Sequence, residues 1–176
     1  QTLVDEARAL SVKVQRSMES HRPAKIPGPQ HLRQQAQALV DRFDSEWGGF
    51  GRAPKFPQAS TLAFLGRYVH RTGDPLARNM WLTTLRKMAA GGMYDQVGGG
   101  FHRYSVDRRW LVPHFEKMLY DNAQLAVNYL EAFALVGGEE FLEVATGILT
   151  YVAREMTHPR GGFYSATDAD SPGPDG

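Results

Sequence analysis

A short glycine-rich phrase occurs three times in this chain and limits the folds that are available to it. Two glycines followed by phenylalanine occur at 48–50, 99–101 and 161–163, so that the phenylalanines are 51 and 62 positions apart. Two glycines can by themselves end a helix, as expected at 137–138. Three copies in which phenylalanine directly follows the two glycines instead indicate an internal repeat. A repeat of this length is typical of stacked helix pairs.

Six amphipathic stretches lie between these phrases and predict three helical hairpins. Their apolar residues recur every three or four positions, and Asp74 followed by Pro75 is typical of a helix start. The predicted helices span 2–20, 32–47, 60–71, 75–90, 115–136 and 139–156, with a linker at 21–29. Residues 101–112 alternate in the manner of a small β-hairpin within the second loop. The sequence therefore predicts an all-α fold whose glycine-rich loops emerge at one end of an arc of hairpins.

Composition excludes several classes of protein. The 176 residues carry a net charge of +1, with 42% hydrophobic and 22% charged residues, which favours one globular domain over 1–176. A near-neutral chain is not typical of nucleic-acid-binding proteins, and no apolar run is long enough for a transmembrane helix. Cysteine is absent, which excludes disulfides and thiol nucleophiles. We expect no nucleic-acid partner, no membrane association and a cytoplasmic location.

No metal or cofactor motif is complete. Asp168 and Asp170 begin a pattern similar to a calcium-binding loop, but Pro172 stands at the third ligand position. The glycines at 98–100 lack the lysine of a phosphate-binding loop. We therefore expect neither a metal nor a cofactor.

Four long motifs resemble those of one widespread family. They are the stretches 49–57, 91–107, 113–123 and 161–171, together with Trp110. Over roughly residues 30–171 the chain is similar to thioredoxin-domain-containing proteins related to the spermatogenesis-associated protein.

This resemblance implies half of an α/α toroid, similar to six-hairpin glycosidases and N-acylglucosamine 2-epimerases. It also implies a thioredoxin-like domain before Gln1 and three more hairpins after Gly176, so the loop at 172–176 is expected to be a point of truncation. The apolar flanks of a half ring are expected to be covered by the rest of the protein or by a second copy, over more than ~2,000 Å².

The glycine-rich loops hold the candidate site residues. His102 and His114 bracket the predicted β-hairpin and suit proton transfer, since the pKa of histidine is near ~6.5. Asp168 and Asp170 follow the third phrase with no helix start to explain them, whereas Asp107 fits a turn residue. The candidate substrate-binding residues are those with aromatic faces or cations in the same loops, namely Trp47, Phe50, Arg52, Tyr94, Phe101, Arg103, Trp110, Phe163 and Tyr164.

Two kinds of function fit this pattern. One is a carbohydrate-processing domain, epimerase-like or glycosidase-like, with a small molecule such as a sugar bound at the Gly-Gly-Phe end. The other is a non-catalytic toroid that binds a ligand or partner for an attached redox domain, which should show aromatic and basic groups with every carboxylate paired structurally. Some of the aromatic rings would in either case be structural plugs. The two are distinguished by whether titratable groups with shifted pKa values converge there.

Overall fold

The computed structural model describes residues 3–18 and 28–170, and its contacts divide the chain into units at 1–33 and 34–176. The first unit holds helix α1 (Leu3–Met18) and the first turn of α2 (Pro29–Val40). Of the predicted linker, Gly28 is a loop residue and Pro29 begins α2, and residues 21–27 lie outside the described part, as does the predicted loop at 172–176.

The second unit is built on two helical hairpins. Helices α3 (Ala59–Thr72) and α4 (Pro75–Ala90) form one, and α5 (Leu119–Val136) and α6 (Glu139–Glu155) form the other. Helices α3 and α5 pack against each other, which joins the two hairpins. The fully buried side chains at these contacts are Leu62, Leu65, Trp81, Leu85, Tyr129, Phe141 and Ile148. The prediction of a mainly helical fold is confirmed.

The described part of the chain holds four short strands, three in the loop between α4 and α5 and one after α6. Strand β1 (Tyr104–Ser105) pairs with β2 (Pro113–His114), which confirms a small hairpin in the second loop. Its returning strand begins after the predicted 110–112, because Trp110 adopts a left-handed backbone with φ 64°. Strand β3 (Lys117–Met118) pairs with β4 (Ala166–Thr167) of the third loop, a pairing that the sequence analysis did not predict.

Two predicted helix boundaries are wrong. Helix α2 ends at Val40 rather than near residue 47, because the following residues form a turn around Asp44. Helix α5 begins at Leu119 rather than near residue 115, because the strand β3 keeps Met118 extended, with φ −97° and ψ 132°.

The three Gly-Gly-Phe loops share one backbone geometry. Each phenylalanine forms an antiparallel bridge with the start of its own loop: Phe43 with Phe50, Tyr94 with Phe101, and Thr157 with Phe163. In each loop the residue that follows the first bridge partner donates its backbone N–H to the carbonyl oxygen of the glycine just before the phenylalanine. The N···O distance is 3.0 Å in all three loops. The internal repeat is therefore structural, and α5 and α3 both start from the same kind of loop.

Each of the first two loops is closed by a buried lysine of its own. Lys55 Nζ donates to Asp44 Oδ2 at 2.8 Å and to the Gly48 carbonyl at 2.6 Å. Lys117 Nζ repeats this arrangement in the second loop, with Asp95 Oδ2 at 2.7 Å and the Gly99 carbonyl at 2.8 Å. We call these two arrangements the lysine clasps.

The clasps also join the loops to one another. The backbone of Lys55 bridges to Ser105 in the second loop, and the backbone of Lys117 pairs with Thr167 in the third. Each lysine therefore reaches back into its own loop while its backbone hydrogen-bonds to the next. This brings all three loops to one end of the helices.

Replacement of Lys55 by methionine is expected to lower the free energy of unfolding by about 3 kcal/mol, because removing one partner of a buried ion pair leaves the other charge without compensation. Arg108, which also contacts Asp44, retains part of the compensation. Urea denaturation followed by circular dichroism measures the change. The matched control is Lys87→Met at an exposed position, for which we expect less than about 1 kcal/mol. Equal effects of the two substitutions would contradict the stabilising role of the Lys55 ion pair.

The clasps are expected to weaken in acid. Burial alone would raise the pKa of Asp95, but the Gly98 amide and the Lys117 ammonium lower it to about 2; Arg108 and Lys55 likewise hold the pKa of Asp44 well below its usual range. A depressed carboxyl pKa stabilises the fold above the unfolded pKa near ~4, and this contribution is lost as pH falls through the folded value. The free energy of unfolding should fall between about pH 4 and pH 2, less steeply in Asp95→Asn. An identical slope in the variant would contradict this.

Candidate functional site

One group of polar and aromatic side chains lies where the second loop meets the start of α5. Successive contacts connect its members from the first loop to the first turn of that helix. We call it the loop cluster, and it consists of Phe56, Arg103, Tyr104, His114, Glu116, Tyr120 and Asp121.

The β1–β2 pair sets the polar part of the cluster. Arg103 Nη1 lies 2.7 Å from Glu116 Oε2, and the Arg103 amide donates to the Glu116 carbonyl, also at 2.7 Å. His114 Nδ1 lies 3.4 Å from the same Glu116 oxygen. Both His114 Nδ1 and Arg103 Nε are buried atoms without a hydrogen-bond partner. The cluster thus holds hydrogen-bonding capacity that its own side chains leave unused.

Asp121 is the carboxyl group of this cluster whose pKa is raised. Burial raises the pKa of its carboxyl to about 6, and the nearby charge of Arg103 opposes this rise. None of the described residues donates a hydrogen bond to this carboxylate. A carboxyl with this pKa exchanges protons near neutral pH, which is what a general acid or base requires.

Aromatic rings flank these polar groups. The Phe56 and Tyr104 rings lie 4.9 Å apart, and Tyr104 stacks on His114 with 4.7 Å between ring centroids. Phe56 and Tyr120 are about half exposed, at 45% and 52%. Exposed rings next to hydrogen-bonding groups are the combination that binds the apolar faces and hydroxyls of a sugar.

His102 is placed differently from His114. It is buried, its Nδ1 lies 3.1 Å from the Phe115 carbonyl, and its ring packs edge-on against Phe115. Burial lowers its pKa, so the ring is neutral at physiological pH. Its position ties the loop to the segment before α5, whereas His114 lies within the loop cluster.

Three of the aromatic candidates lie inside the fold. Phe50, Phe101 and Trp110 are buried, so their rings do not face solvent at the loop end. Phe101 stacks on Tyr129 at 5.5 Å, and the Trp110 indole donates to the Trp47 carbonyl at 2.8 Å. Gly49 has to be glycine, because a Cβ there would lie 2.5 Å from the Trp110 ring.

Three further candidates lie outside the loop cluster. The Trp47 ring carries two cations, Lys87 at 4.9 Å and Arg109 at 4.7 Å from its centroid. Arg52 is exposed on the first loop. Tyr94 is half-buried and lines a separate, open depression of about 530 Å³ between the second loop and α6.

The third-loop candidates are exposed. Phe163 is 62% and Tyr164 is 46% exposed, and Tyr164 packs edge-on against His158. The carboxylates of Asp168 and Asp170 also face solvent, and Asp168 Oδ1 accepts from the Ala169 amide at 2.6 Å. Phe163 and Tyr164 precede β4 and the two aspartates follow it, and the pairing of β4 with β3 brings this segment to the loop end that also carries the cluster.

Other loop carboxylates have structural partners. Asp107 accepts hydrogen bonds from the amides of Arg109, Leu111 and Val112, as expected for a turn residue. Asp95 belongs to the second lysine clasp.

The sequence analysis did not single out Asp121, because the predicted helix 115–136 places Lys117 four positions before it on the same helix, a spacing at which the two side chains would form a weak surface pair. Lys117 lies instead on β3 and contacts Asp95, so the Asp121 carboxyl lies beside Arg103. The signal that could have revealed the clasps is the aspartate six positions before both Phe50 and Phe101.

The helices of the described segments include none that is long and apolar enough to cross a membrane. No family model matches the chain.

Solved structures share this fold. A sugar epimerase from a ruminal bacterium superposes with a TM-score of 0.68 at 16% identity, covering 80% of this chain and 40% of that one. The cellobiose 2-epimerase of Spirochaeta thermophila gives 0.65 at 21% identity, covering 81% and 41%. A D-mannose isomerase gives 0.60 at 15% identity, covering 81% and 42%. The chain therefore has the fold of part of an α/α toroid, as predicted.

Curated relatives identify the family. The chain is 59% identical over 140 residues to spermatogenesis-associated protein 20 of Homo sapiens, and 56% identical to that of Rattus norvegicus; each match covers 77% of this chain and 18% of the relative. An uncharacterized protein of Caenorhabditis elegans is 44% identical over 135 residues. Over this segment the chain is a homologue of the spermatogenesis-associated protein family, which confirms the resemblance. It spans about a fifth of the length of these relatives.

Asp121 is expected to titrate near pH 6, about two units above a free aspartate, because burial disfavours its charged form. Carboxyl ¹³C chemical shifts measured across pH follow this titration. Substitution of Arg103 by methionine removes the opposing positive charge, so the midpoint should rise further. The control Arg71→Met, on an exposed position of α3, should leave it unchanged. A midpoint near pH 4 would contradict the burial of this carboxyl.

Proposed function

We propose that the loop cluster binds a sugar and transfers a proton at the carbon next to its carbonyl group. The observation that carries the proposal is the raised pKa of Asp121 beside Arg103, at an end of the helices where exposed aromatic rings gather. The fold shared with sugar epimerases and a mannose isomerase supports the choice of substrate class by analogy.

The proposed reaction begins with the open-chain form of an aldose. Deprotonated Asp121 accepts the proton on C2, the electron pair of that C–H bond forms the C1–C2 double bond, and the carbonyl oxygen becomes negatively charged. Arg103 stabilises this charge, as a fixed cation does for a developing oxyanion. Protonated His114 returns a proton to C2 from the opposite face, and exchange with solvent restores both residues.

The remaining groups would position the substrate. Tyr104 and Phe56 offer rings for stacking, and Glu116 holds Arg103 and the neighbouring His114 in place. Of the candidates predicted from sequence, Tyr164, Asp168 and Asp170 follow the third phrase and are exposed at the same end, where they are proposed to contact the distal part of a larger sugar.

A second candidate function has its own support. The burial of Phe50, Phe101 and Trp110 and the structural pairing of Asp95 and Asp107 are what a non-catalytic toroid would show. In that case the same loop end would bind a ligand or partner for an attached thioredoxin-like domain, without changing it.

The two functions are distinguished by proton exchange in deuterated water. With D-mannose or cellobiose, the proposed activity replaces the hydrogen on C2 by deuterium, which proton NMR detects. Asp121→Asn should slow this exchange by about 10²-fold to 10⁴-fold. The control Asp41→Asn alters an exposed carboxylate ahead of the first loop and should leave the rate unchanged.

Sugar binding in saturation-transfer NMR without exchange would favour the non-catalytic function. Neither binding nor exchange would overturn the assignment of the loop cluster to sugars.

A further inference from the structure

An open cavity lies at the opposite end of the helices from the loop cluster, between α4 and the end of α5. Its volume is about 340 Å³, which falls within the range of ~300–1,000 Å³ that is typical of ligand pockets. Val136, the last residue of α5, forms part of its wall and lies fifteen positions beyond Asp121. At a rise of ~1.5 Å per residue, roughly 22 Å of helix axis separates the cavity from the loop cluster.

One side of α4 forms the rest of the wall. The lining residues of this helix recur every three or four positions and therefore share one face. They are Pro75, Arg78, Asn79, Leu82, Thr83 and Arg86. Among the described residues that line the cavity, two are arginines and none is acidic. The side chains of Arg78, Asn79 and Arg86 are exposed, so a ligand can reach this positively charged wall. We call it the arginine cavity.

Arg78 supplies a cation that the fold does not use. Its backbone N–H donates to the Asp74 carbonyl at 3.0 Å, in the first turn of α4. None of the described residues accepts a hydrogen bond from its guanidinium group. The planar fork of a guanidinium matches the oxygens of a phosphate or carboxylate group. Arg78 can therefore bind an anion without breaking an existing ion pair.

Asn79 places a second donor beside Arg78. Thr83 Oγ1 donates to Asn79 Oδ1 at 3.2 Å, which occupies the oxygen of the amide group. The Nδ2 group of Asn79 remains a donor, and it has no acceptor among the described residues. The two neighbouring side chains thus offer donors to the same part of the cavity.

Arg86 is held in place further along the same face. Its Nε and Nη2 both lie 3.3 Å from Glu140 Oε1, and its guanidinium lies 5.1 Å from the centroid of the Phe141 ring. The Arg86 and Glu140 side chains are 53% and 52% exposed, so this ion pair is weak. Its charge is only partly compensated, and the cavity keeps an excess of positive charge.

We propose that the arginine cavity binds a phosphate monoester with a compact apolar body. The phosphate oxygens accept hydrogen bonds from the Arg78 guanidinium and from Asn79 Nδ2. The apolar body packs against Leu82 and Val136, and Arg86 attracts the doubly charged group from the other end of the wall.

The charge and the donors of the wall select this class of ligand. A phosphate monoester carries about two negative charges and three strong acceptor oxygens, whereas the wall offers donors and two cations. A cationic ligand is repelled by both arginines, and a neutral one leaves the guanidinium of Arg78 without a counter-charge. The apolar lining at Pro75, Leu82 and Val136 favours an ester over inorganic phosphate.

Phenyl phosphate is the probe that tests the proposal in the purified protein. Heteronuclear NMR should show a shift of one arginine Nε–H resonance on titration, and Arg78→Gln identifies that resonance by removing it. The same substitution should weaken binding about tenfold, in line with the loss of one charge-assisted hydrogen bond. Arg78 is exposed, so the variant should fold. The control Arg71→Gln, on an exposed position of α3, should leave the affinity unchanged.

Glu140→Gln tests the role of charge in the opposite direction. It releases Arg86 from its ion pair, so phenyl phosphate should bind about threefold more tightly. The control Glu143→Gln removes an exposed carboxylate one turn further along α6 that has no ion pair among the described residues, and it should leave the affinity unchanged.

Two further probes separate the parts of the ligand. Phenol keeps the ring without the charge, and inorganic phosphate keeps the charge without the ring, so each should bind at least about tenfold more weakly than phenyl phosphate. The proposal is overturned if phenyl phosphate leaves the Arg78 resonance unshifted, if either further probe binds equally well, or if Arg78→Gln has no effect. These measurements involve neither a sugar nor Asp121, so failure here and failure of the proposed function are distinguishable.

Discussion

The buried ammonium groups of Lys55 and Lys117 are the interaction on which the loop end of this molecule depends. Each lies between an aspartate and a glycine carbonyl of its own loop, while its backbone pairs with the loop that follows. A buried lysine without such partners would lose its proton, because burial disfavours the charged form. The clasps thus convert three flexible glycine-rich segments into one connected surface, and that surface sets where Arg103, His114 and Asp121 lie.

The loop cluster combines exposed aromatic rings with an arginine, a histidine and a half-buried carboxyl. This combination supports the proposed transfer of a proton on a sugar. Helix α5 begins within the cluster and α3 follows the first loop, so the packing of these two helices holds the two loops together.

Helix periodicity and the repeated phrase were sufficient to predict the hairpins α3–α4 and α5–α6 and the common end of the loops. Periodicity could not show that Lys117 is extended rather than helical, because that choice depends on its pairing with Thr167, fifty positions away. The same long-range pairing decides the surroundings of Asp121. Which aromatic candidates face solvent could not be predicted, because nothing in the local sequence distinguishes Phe101, which is buried, from Phe163, which is exposed.

The order of the clasp residues along the chain has a consequence for synthesis. In both clasps the aspartate precedes its lysine, and the lysine precedes the strand residue that its backbone pairs with. A ribosome therefore delivers the acceptor first, then the cation, then the edge that fixes it. Neither clasp can be complete until the following loop has left the exit tunnel, so the order of these residues sets the earliest point of synthesis at which each clasp can form.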